Sequence, residues 1–275
     1  MIDILLSTYN GERWLREQLD SILAQSYGGW HLLIRDDGST DGTVGIVDEY
    51  ARQYPGKIVR LEESKNIGCV RSYEYLLYAS TAEYICFADQ DDVWLEKKLE
   101  HMLKLMMELE KQTSAEIPHV VCSDLRVVDA QLEVIDESFW HMISLRPDLL
   151  QTPQQLGTCN YVTGCAMLFN RAAKELSLPF GEHAYMHDAV VALTTLYRGG
   201  DIVVSTEKDI LYRQHDGNVI GAIRVTKGFP YVLSKVLSLR SVWKRNRRNY
   251  LQARDITNCG ALSFMYNRIK YLLRR

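Results

Sequence analysis

The first 111 residues alternate short apolar runs with longer amphipathic segments, and this alternation limits the chain to a narrow class of folds. The apolar runs have the length of buried strands, and the segments between them repeat apolar residues at helical spacing. The predicted strands are 2–6, 31–34, 57–61 and 84–88. The predicted helices are 12–25, 42–54, 67–80 and 94–111. Four strand–helix units in a row predict an α/β fold with a mostly parallel central sheet and flanking helices.

The second half of the chain is less regular. Strands are predicted at 119–128, 162–169 and 202–205, and a helix at 186–197. A length of 275 residues suits one large domain with an appendage, since a single core stops growing near roughly 250–300 residues. Hydrophobic residues make up 47% and charged residues 24%, which excludes a disordered chain. No apolar run approaches the roughly 20 residues that a spanning helix needs, and the start lacks a signal-peptide pattern, so a cytoplasmic protein is expected.

Charge is distributed unevenly, although the formal net charge is only −3. From Arg224 to the end there are 13 lysines and arginines and one acid, whereas the preceding part is acidic. We therefore predict a domain at 1–222 and a basic, mainly helical extension at 223–275. Apolar residues among its cations, such as Phe229 and Trp243, suggest that the extension binds an anionic membrane surface, the inner face of the plasma membrane. The alternative is a solvated helical cap on the domain. The extension lacks a nucleic-acid-binding motif, so nucleic acid is not an expected partner.

Polar motifs follow three of the four predicted strands at the point where each strand ends. They are Ser7-Thr8-Tyr9-Asn10, Asp36-Asp37 and Asp89-Gln90-Asp91-Asp92. In open parallel sheets ligands bind beyond the carboxyl ends of the strands, so the three motifs are expected to share one site. Three carboxylates within four residues repel one another unless a cation lies among them, and hard oxygen ligands suit Mg²⁺ or Mn²⁺. The alternative is an acidic turn in which Asp92 caps the following helix.

These motifs carry a family resemblance that covers roughly residues 1–220. The first motif, the run from Asp36 to Thr43 and the Asp89-Gln90-Asp91 "DXD" element together resemble the family 2 glycosyltransferases of the GT-A fold. With Met186-His187-Asp188 and Tyr212-Arg213-Gln214-His215 added, the chain is similar to the bacterial rhamnosyltransferase branch, which builds cell-surface polysaccharides on a lipid carrier. The resemblance implies a Rossmann-like sheet and a metal-dependent transfer of a sugar from a nucleoside diphosphate to a hydroxyl group.

The resemblance also implies roles for residues that would bind the nucleotide. Thr8 and Tyr9 would line the pocket for the base. Asp37, with Asp36 beside it, would accept a hydrogen bond from an N–H of the base, which favours uracil or thymine. Arg71 would reach the nucleotide.

A second group of residues would bind the metal ion and the diphosphate. Asp89 would lie near the ribose and the metal, and Asp91 would ligate the metal across the diphosphate. His215 could ligate Mn²⁺ or, as a cation, pair with the diphosphate. Arg213 offers a planar fork for phosphate, although a surface turn is the alternative interpretation of this segment.

Asp188 is the candidate general base, because the acceptor hydroxyl must lose a proton as its bond to the anomeric carbon forms. A cap of the helix that follows is the alternative role, and both can hold together. Attack from the back with one base predicts inversion at the anomeric carbon. His187 could orient the acceptor or the carboxylate, Gly164 would let the sugar approach the backbone, and Trp140 could line an acceptor groove.

The sequence leaves the donor and the acceptor open within this reaction class. From the resemblance alone, dTDP-rhamnose is the expected donor and a lipid-linked saccharide the expected acceptor, and a UDP-hexose donor is the alternative. A nucleotidyltransferase is disfavoured because the segment after the first strand is poor in glycine. A non-catalytic binding subunit is disfavoured because Asp37, Asp89, Asp91 and Asp188 are all present. A homodimer formed through the basic extension would compete with membrane binding for the same apolar surface.

Overall fold

The structure, a computed structural model, describes residues 1–62, 65–215 and 231–275, and of residues 231–241 it describes the backbone only. The strands of the described residues are β1 (Ile2–Thr8), β2 (Trp30–Asp36), β3 (Ile58–Arg60), β4 (Tyr84–Ala88), β5 (Val93–Trp94), β6 (His119–Ser123), β7 (Arg126–Val128), β8 (Val134–Asp136), β9 (Met167–Asn170), β10 (Asp201–Ser205) and β11 (Ile210–Arg213). The helices are α1 (Leu15–Leu23), α2 (Thr43–Gln53), α3 (Cys69–Ala79), α4 (Lys98–Gln112), α5 (Phe139–Met142), α6 (Pro153–Leu156), α7 (Arg171–Ser177), α8 (His187–Tyr197), α9 (Tyr231–Thr257) and α10 (Ala261–Arg274).

Seven strands form one central sheet in the order β10-β6-β9-β4-β1-β2-β3. Neighbouring strands pair in parallel except at β9, which is antiparallel to both β4 and β6. The predicted mostly parallel α/β sheet is therefore confirmed. The chain passes from β1 through β2 to β3 and then places β4 on the other side of β1, so the strand order reverses there. A reversal of this kind opens a crevice at the carboxyl ends of the strands, where ligands bind.

The continuous apolar run of β1 is explained by burial on both faces of the sheet. Ile4 and Leu6 pack in one apolar cluster with residues of α1 and α2, whereas Leu5 packs in a second cluster with residues of α3. Successive side chains of a strand point to opposite faces, so a strand covered on both sides needs apolar residues at every position. The register of strand pairing aligns the carboxyl ends of β1, β2 and β4, since Thr8 pairs with Asp36 and Leu6 pairs with Ala88.

The segment after β4 corrects a prediction. The sequence predicts a helix from 94, but α4 begins at Lys98, and Val93–Trp94 form β5, which pairs antiparallel with β11. Trp94 is buried, and its backbone N–H donates to Ser21 Oγ (3.0 Å), so tertiary contacts prevail over the local helical pattern. Asp92 is consequently not a helix cap, and its Oδ1 accepts the N–H of Arg213 (3.2 Å).

Two further predicted strands are divided in the structure. The run 119–128 forms β6 in the central sheet and β7 in a smaller sheet of order β5-β11-β7-β8. The run 162–169 begins with a 3₁₀ turn at Gly164–Ala166 and continues as β9. The second division lies beside α8, since the Gly164 N–H in the 3₁₀ turn donates to Asp188 Oδ2 (3.0 Å).

The C-terminal extension is helical, as predicted, and consists of α9 and α10. The predicted boundary between 222 and 223 and the side chain of Phe229 lie outside the described residues. Ala253, Phe264 and Tyr271 are buried in the apolar cluster that also contains α8, so this part of the extension packs on the domain. Across the described ranges, no helix combines the length and the apolar character that crossing a bilayer requires.

Candidate active site

Asp36 organises the turn that follows β2. Its buried carboxylate accepts hydrogen bonds from Thr8 Oγ1 (3.1 Å), from the N–H groups of Gly38 (3.0 Å) and Ser39 (2.8 Å) and from the Ser39 hydroxyl. Gly38 has a φ of 85°, a left-handed conformation that glycine adopts without strain, and the chain folds back over the carboxylate there. The structure brings Thr8 and Asp36 together, and their direct contact with a nucleotide stays a prediction.

The Asp37 carboxylate lies beside this turn in a ring of donors. Its Oδ1 accepts from Arg35 Nη1 (2.7 Å) and the Ile67 N–H (2.8 Å), and its Oδ2 accepts from the Gly68 N–H (2.9 Å). A carboxylate oxygen has two lone-pair sites, so Oδ2 retains one for a donor on a ligand. Sequence reasoning misses Arg35, which is completely buried, although an arginine inside an apolar strand is a usable signal.

Tyr9 is joined to the acidic loop after β4 through Gln90. The Tyr9 N–H donates to Gln90 Oε1 (2.9 Å), and Gln90 Nε2 donates to the Tyr9 carbonyl (3.0 Å). The Tyr9 side chain is left exposed. The first and third sequence motifs therefore form one rim, with an aromatic ring that is accessible to a base.

Asp91 and His215 form a pair at the same end of the sheet. Asp91 Oδ2 and His215 Nε2 lie 2.9 Å apart, and both side chains are 18% exposed. The His215 ring also contacts the ring of Trp14, with 5.6 Å between the centroids. Two of the predicted metal ligands, 124 positions apart in the sequence, thus meet at a partly open position.

Asp89 and Asp92 form a compact group with Cys165, in which Asp89 is half-buried and the other two residues are buried. The carboxylate oxygens and the Cys165 sulfur all lie within 4.8 Å of one another. Burial and the charge of Asp91 raise the pKa of Asp89 to about 6. Burial and the charges of Asp91 and Asp89 also raise the pKa of Asp92. The carboxylates therefore disfavour one another's charged form.

This donor set fits a divalent cation. A cation would relieve the repulsion among the carboxylates, and Asp92 Oδ2 is buried without a hydrogen-bond partner in the described part of the chain. The predicted ligands Asp89, Asp91 and His215 form a less compact group than Asp89, Asp92 and Cys165. Mg²⁺ is usually held by one or two carboxylates and by phosphate oxygens, and the ligand roles of Asp89, Asp91 and His215 stay predictions. Burial and the charges of Asp92 and Asp89 raise the pKa of the Cys165 thiol, and a soft sulfur ligand suits Mg²⁺ or Mn²⁺ less well than carboxylate oxygens do.

Asp188 lies in the first turn of α8. Its Oδ2 accepts the N–H of Gly164 (3.0 Å), and its Oδ1 accepts the N–H of Ala189 (2.5 Å). Burial raises the pKa of Asp188 to about 7, although these hydrogen bonds act to lower it, and the charge of Asp89 adds to the increase. A carboxyl group with a pKa near the working pH has the protonation behaviour that a general base needs.

His187 connects the start of α8 to the acidic loop after β4. Its ring stacks on Tyr73, with 3.8 Å between the centroids, and the Tyr73 hydroxyl lies 3.2 Å from Asp89 Oδ1. Burial lowers the pKa of His187 to about 3, so the ring is neutral. A Cβ at Gly164 would lie 2.7 Å from His187 Nε2, so the close packing requires glycine there. Sequence reasoning misses Tyr73, because nothing in a helical tyrosine signals this contact.

Helix α3 joins the segments that carry Asp37, Asp89 and Asp188. The Gly68 N–H, directly before α3, donates to Asp37 Oδ2 (2.9 Å). Tyr73, within α3, places its hydroxyl 3.2 Å from Asp89 Oδ1 and stacks on the ring of His187, the chain neighbour of Asp188. Through these contacts the structure brings together three separate segments of the chain.

Arg213 makes contacts that the sequence does not predict. It is buried, and its Nε, Nη1 and Nη2 donate to the Asp91 carbonyl (2.9 Å), the Ala130 carbonyl (2.8 Å) and Glu17 Oε2 (2.6 Å). The guanidinium also stacks over Trp14 at 4.3 Å. These contacts fix the backbone that carries Asp91, and phosphate binding by Arg213 stays a prediction.

Arg71 and Trp140 also have protein partners. Arg71 donates to the Glu74 carboxylate (2.5 Å) and to the Gly181 carbonyl (3.1 Å). Trp140 is half-buried, and its Nε1 donates to the Tyr161 carbonyl (3.1 Å). The roles of Arg71 toward the nucleotide and of Trp140 toward the acceptor stay predictions.

Comparison with known proteins agrees with this site. The profile of Glycosyl transferase family 2 matches residues 3–176, which include Asp37, Asp89 and Asp91. The chain therefore belongs to this family, and it has the GT-A fold. The dTDP-rhamnosyl transferase RfbG of Shigella flexneri is 27% identical over 236 residues, which are 79% of this chain and 74% of that protein. Three other curated relatives align over only 38%, 46% and 23% of their own lengths.

Two solved structures resemble the chain over 99% of its length. One is TarS 1–349 of S. aureus in complex with UDP-GlcNAc, with a TM-score of 0.62, 16% identity and 72% of that chain covered. The other is the mannosyltransferase PcManGT from Pyrobaculum calidifontis in complex with GDP-Man and Mn²⁺, with a TM-score of 0.58, 16% identity and 74% covered. At this identity the likeness concerns the fold alone.

Proposed function

We propose that this protein transfers a sugar from a nucleoside diphosphate to a hydroxyl group, with inversion at the anomeric carbon. The observation that carries the proposal is that contacts of α3 link the segments of Asp37, Asp89 and Asp188 at the carboxyl end of the sheet. Membership of family 2 supports this class of reaction. The complete set of carboxylates argues against a non-catalytic subunit, and the glycine-poor segment 8–13 argues against a nucleotidyltransferase.

In this proposal Asp188 is the general base. Its carboxylate takes the proton of the acceptor hydroxyl while the hydroxyl oxygen bonds to the anomeric carbon. The bond from that carbon to the diphosphate oxygen breaks, and its electron pair leaves with the diphosphate. The N–H groups of Gly164 and Ala189 hold the carboxylate in place. Attack opposite the leaving group inverts the anomeric carbon without a second carboxylate as nucleophile.

The residues proposed to hold Mg²⁺ or Mn²⁺ are Asp91, Asp89 and His215. When bound, the cation would stabilise the negative charge that develops on the departing diphosphate. Arg213 Nε holds the carbonyl of Asp91 (2.9 Å), and the His215 ring lies against Asp91 Oδ2. Both contacts restrain the position of Asp91.

The proposed donor is dTDP-rhamnose, and a UDP-hexose is the alternative. Asp37 Oδ2 would accept the base N–H that thymine and uracil share and that cytosine lacks at that position. The relative RfbG, a dTDP-rhamnosyl transferase at 27% identity, supports the rhamnose donor. A UDP sugar is bound in the complex of TarS with UDP-GlcNAc, whose likeness to this chain, at 16% identity, concerns the fold alone.

The proposed acceptor is a hydroxyl of a growing, lipid-linked cell-surface polysaccharide. Gly164, His187 and Trp140 are the candidate residues on the acceptor side. The protein would work in the cytoplasm, on the inner face of the plasma membrane. Formation of a homodimer through the extension is the alternative. The basic charge of the extension supports the membrane location.

A thermal-shift screen of nucleotide sugars tests the proposed function. A ligand at 100 times its dissociation constant stabilises the folded state by about 2.7 kcal/mol, which corresponds to an increase of roughly 5–10 °C in the unfolding temperature. We expect dTDP-rhamnose with Mn²⁺ to produce this increase and dTDP-rhamnose without metal to produce much less. A larger increase with UDP sugars would favour the alternative donor. No increase with any nucleotide sugar would refute the proposal.

The Tyr73→Phe variant tests the contact between Tyr73 and Asp89. The Tyr73 hydroxyl lies 2.8 Å from the Ala88 carbonyl and 3.2 Å from Asp89 Oδ1, and its contact with Asp89 lowers a pKa that burial and the charge of Asp91 still keep at about 6, so loss of the hydroxyl should raise that pKa further. At pH 6 a smaller fraction of the Asp89 carboxyl groups would then be ionised in the variant than in the wild type. At pH 8 this group would be mostly ionised in both proteins. If the pKa rises by about one unit, we expect donor affinity with Mn²⁺ to fall about fivefold at pH 6 and little at pH 8. Equal losses at both pH values in a calorimetric titration would argue against this role.

A further inference from the structure

Helix α10 exposes a row of large apolar side chains that the folded domain does not use. Leu262 and Leu273, near its two ends, are 84% and 81% exposed. Between them lie further exposed residues: Met265, Tyr266, Ile269 and Leu272. We call these six residues the α10 stripe. Single exposed apolar residues are ordinary on protein surfaces, but a continuous apolar row marks an interaction site.

The spacing of the α10 stripe places it on one side of the helix. At 3.6 residues per turn, the six positions fall within an arc of about 120°. Phe264 and Tyr271 lie on the opposite side and are buried in the core cluster that contains α8. The Tyr271 hydroxyl also accepts the N–H of Arg146 (3.3 Å). The helix is therefore attached to the domain by one face while its more apolar face points outward.

Cations border the α10 stripe on both sides. Arg268 lies on one side of the arc, and Lys270 and Arg274 lie on the other. Residues 242–275 contain nine lysines and arginines and a single acid, Asp255. Asp255 is paired with His183 Nδ1 at 2.8 Å. An apolar face with a cationic border is the pattern of a helix that lies in the interface of an anionic bilayer.

We propose that the α10 stripe docks on the surface of an anionic phospholipid bilayer, with α10 parallel to the membrane. A second copy of the chain is a poorer occupant, because it would bring two strongly cationic surfaces together. The docking surface does not depend on the transfer reaction. The conclusion that docking presents the crevice to a lipid-linked acceptor rests on the proposed function.

Sedimentation of the full-length protein with vesicles tests this docking surface. The vesicles are equal parts phosphatidylglycerol and phosphatidylcholine, or phosphatidylcholine alone. We expect the protein to sediment with the anionic vesicles and to remain in solution with the neutral ones. A triple variant, Leu262→Ser, Ile269→Ser and Leu273→Ser, should bind the anionic vesicles at least about tenfold more weakly, because it loses about half of the apolar area that enters the bilayer, including the two most exposed side chains.

A matched control removes exposed apolar side chains elsewhere on the surface: Tyr78→Ser, Val134→Ser and Leu176→Ser. This variant should sediment like the wild type. Equal sedimentation of the α10 variant and the wild type would overturn the proposal, as would a wild-type protein that stays in solution with anionic vesicles. A wild-type dimer that the α10 variant converts to a monomer, with vesicle binding unchanged, would assign the stripe to a second copy instead.

The thermal shift with dTDP-rhamnose and Mn²⁺, measured on the same variants, separates this inference from the proposed function. The α10 variant should keep the wild-type shift, since the stripe lies outside the residues assigned to the crevice. Vesicle binding without any nucleotide-sugar shift would refute the proposed function and leave the docking surface standing. A normal shift without vesicle binding would do the reverse.

Discussion

The Asp188→Asn variant should lose about 10²- to 10⁴-fold in kcat while binding the donor with wild-type affinity, because this is the usual contribution of a general base. Asparagine keeps the size of the side chain but cannot accept the proton of the acceptor hydroxyl. Its NH₂ group would also face one of the two backbone N–H groups that now donate to Asp188, at Gly164 and Ala189. Some loss of stability, about 1–3 kcal/mol, is therefore expected as well.

Asp3→Asn is a matched control for this loss of stability. Asp3 is also buried, and its Oδ2 accepts hydrogen bonds from the N–H groups of Thr81 and Ala82. It lies at the amino end of β1, whereas the crevice lies at the carboxyl ends of the strands. The control should lose stability and retain kcat. Steady-state kinetics and thermal unfolding of both variants give the comparison. A wild-type kcat in the Asp188→Asn variant would exclude Asp188 as the base.

The pH profile gives an independent readout of the same residue. The base must be ionised to accept a proton, and the pKa of Asp188 is raised to about 7. The kcat/KM of the wild type should therefore be low at pH 6 and rise through pH 7 to a plateau near pH 8. The remaining activity of Asp188→Asn should lack the rise near pH 7.

The Asp91→Ala variant should lose most of the metal-dependent part of donor binding. Replacing a residue that hydrogen-bonds to a metal ligand lowers metal affinity by roughly 10–100-fold, and removing a ligand itself should lower it by at least that much. Without metal, donor binding should be unchanged or slightly tighter, since a carboxylate that repels the diphosphate has been removed. Calorimetric titration of dTDP with and without Mn²⁺ measures both quantities.

His215→Ala gives a graded comparison for Asp91→Ala. His215 Nε2 lies 2.9 Å from Asp91 Oδ2, so it would share the cation or orient Asp91. We expect a smaller loss of metal-dependent affinity than in Asp91→Ala. An Asp91→Ala variant that keeps the full difference between titrations with and without Mn²⁺ would show that Asp91 is not a ligand.

The central part of the fold follows from local pattern. Short apolar runs predict β1 to β4 because a strand covered on both faces must be apolar at every position. The strand ends predict a shared position for Asp36, Asp37 and Asp89, since parallel strands end at one edge of the sheet. The prediction fails at Val93–Trp94, where pairing with β11, over 100 positions away, outweighs the helical pattern.

Parts of the candidate site depend on contacts that no local pattern contains. Arg213 has the chemistry of a phosphate ligand, but folding buries it against Glu17 and the carbonyl of Asp91. Tyr73 has the pattern of a core residue, yet its ring stacks on His187 and its hydroxyl reaches Asp89. A side chain with several donors takes the partners that the fold brings to it, so its partners cannot be inferred from its type.

The sequence by itself determined the α/β class, the strand ends that carry the carboxylates and the cationic character of the extension, because these depend on the order and spacing of residue types. Only the tertiary structure decided that Asp188 is buried beside Asp89, and that burial rather than hydrogen bonding sets its pKa. It also decided which face of α10 is attached to the domain, since Phe264 and Leu262 are equally apolar in sequence and only packing distinguishes them. Burial results from the whole chain folding at once, and a single segment does not contain that information.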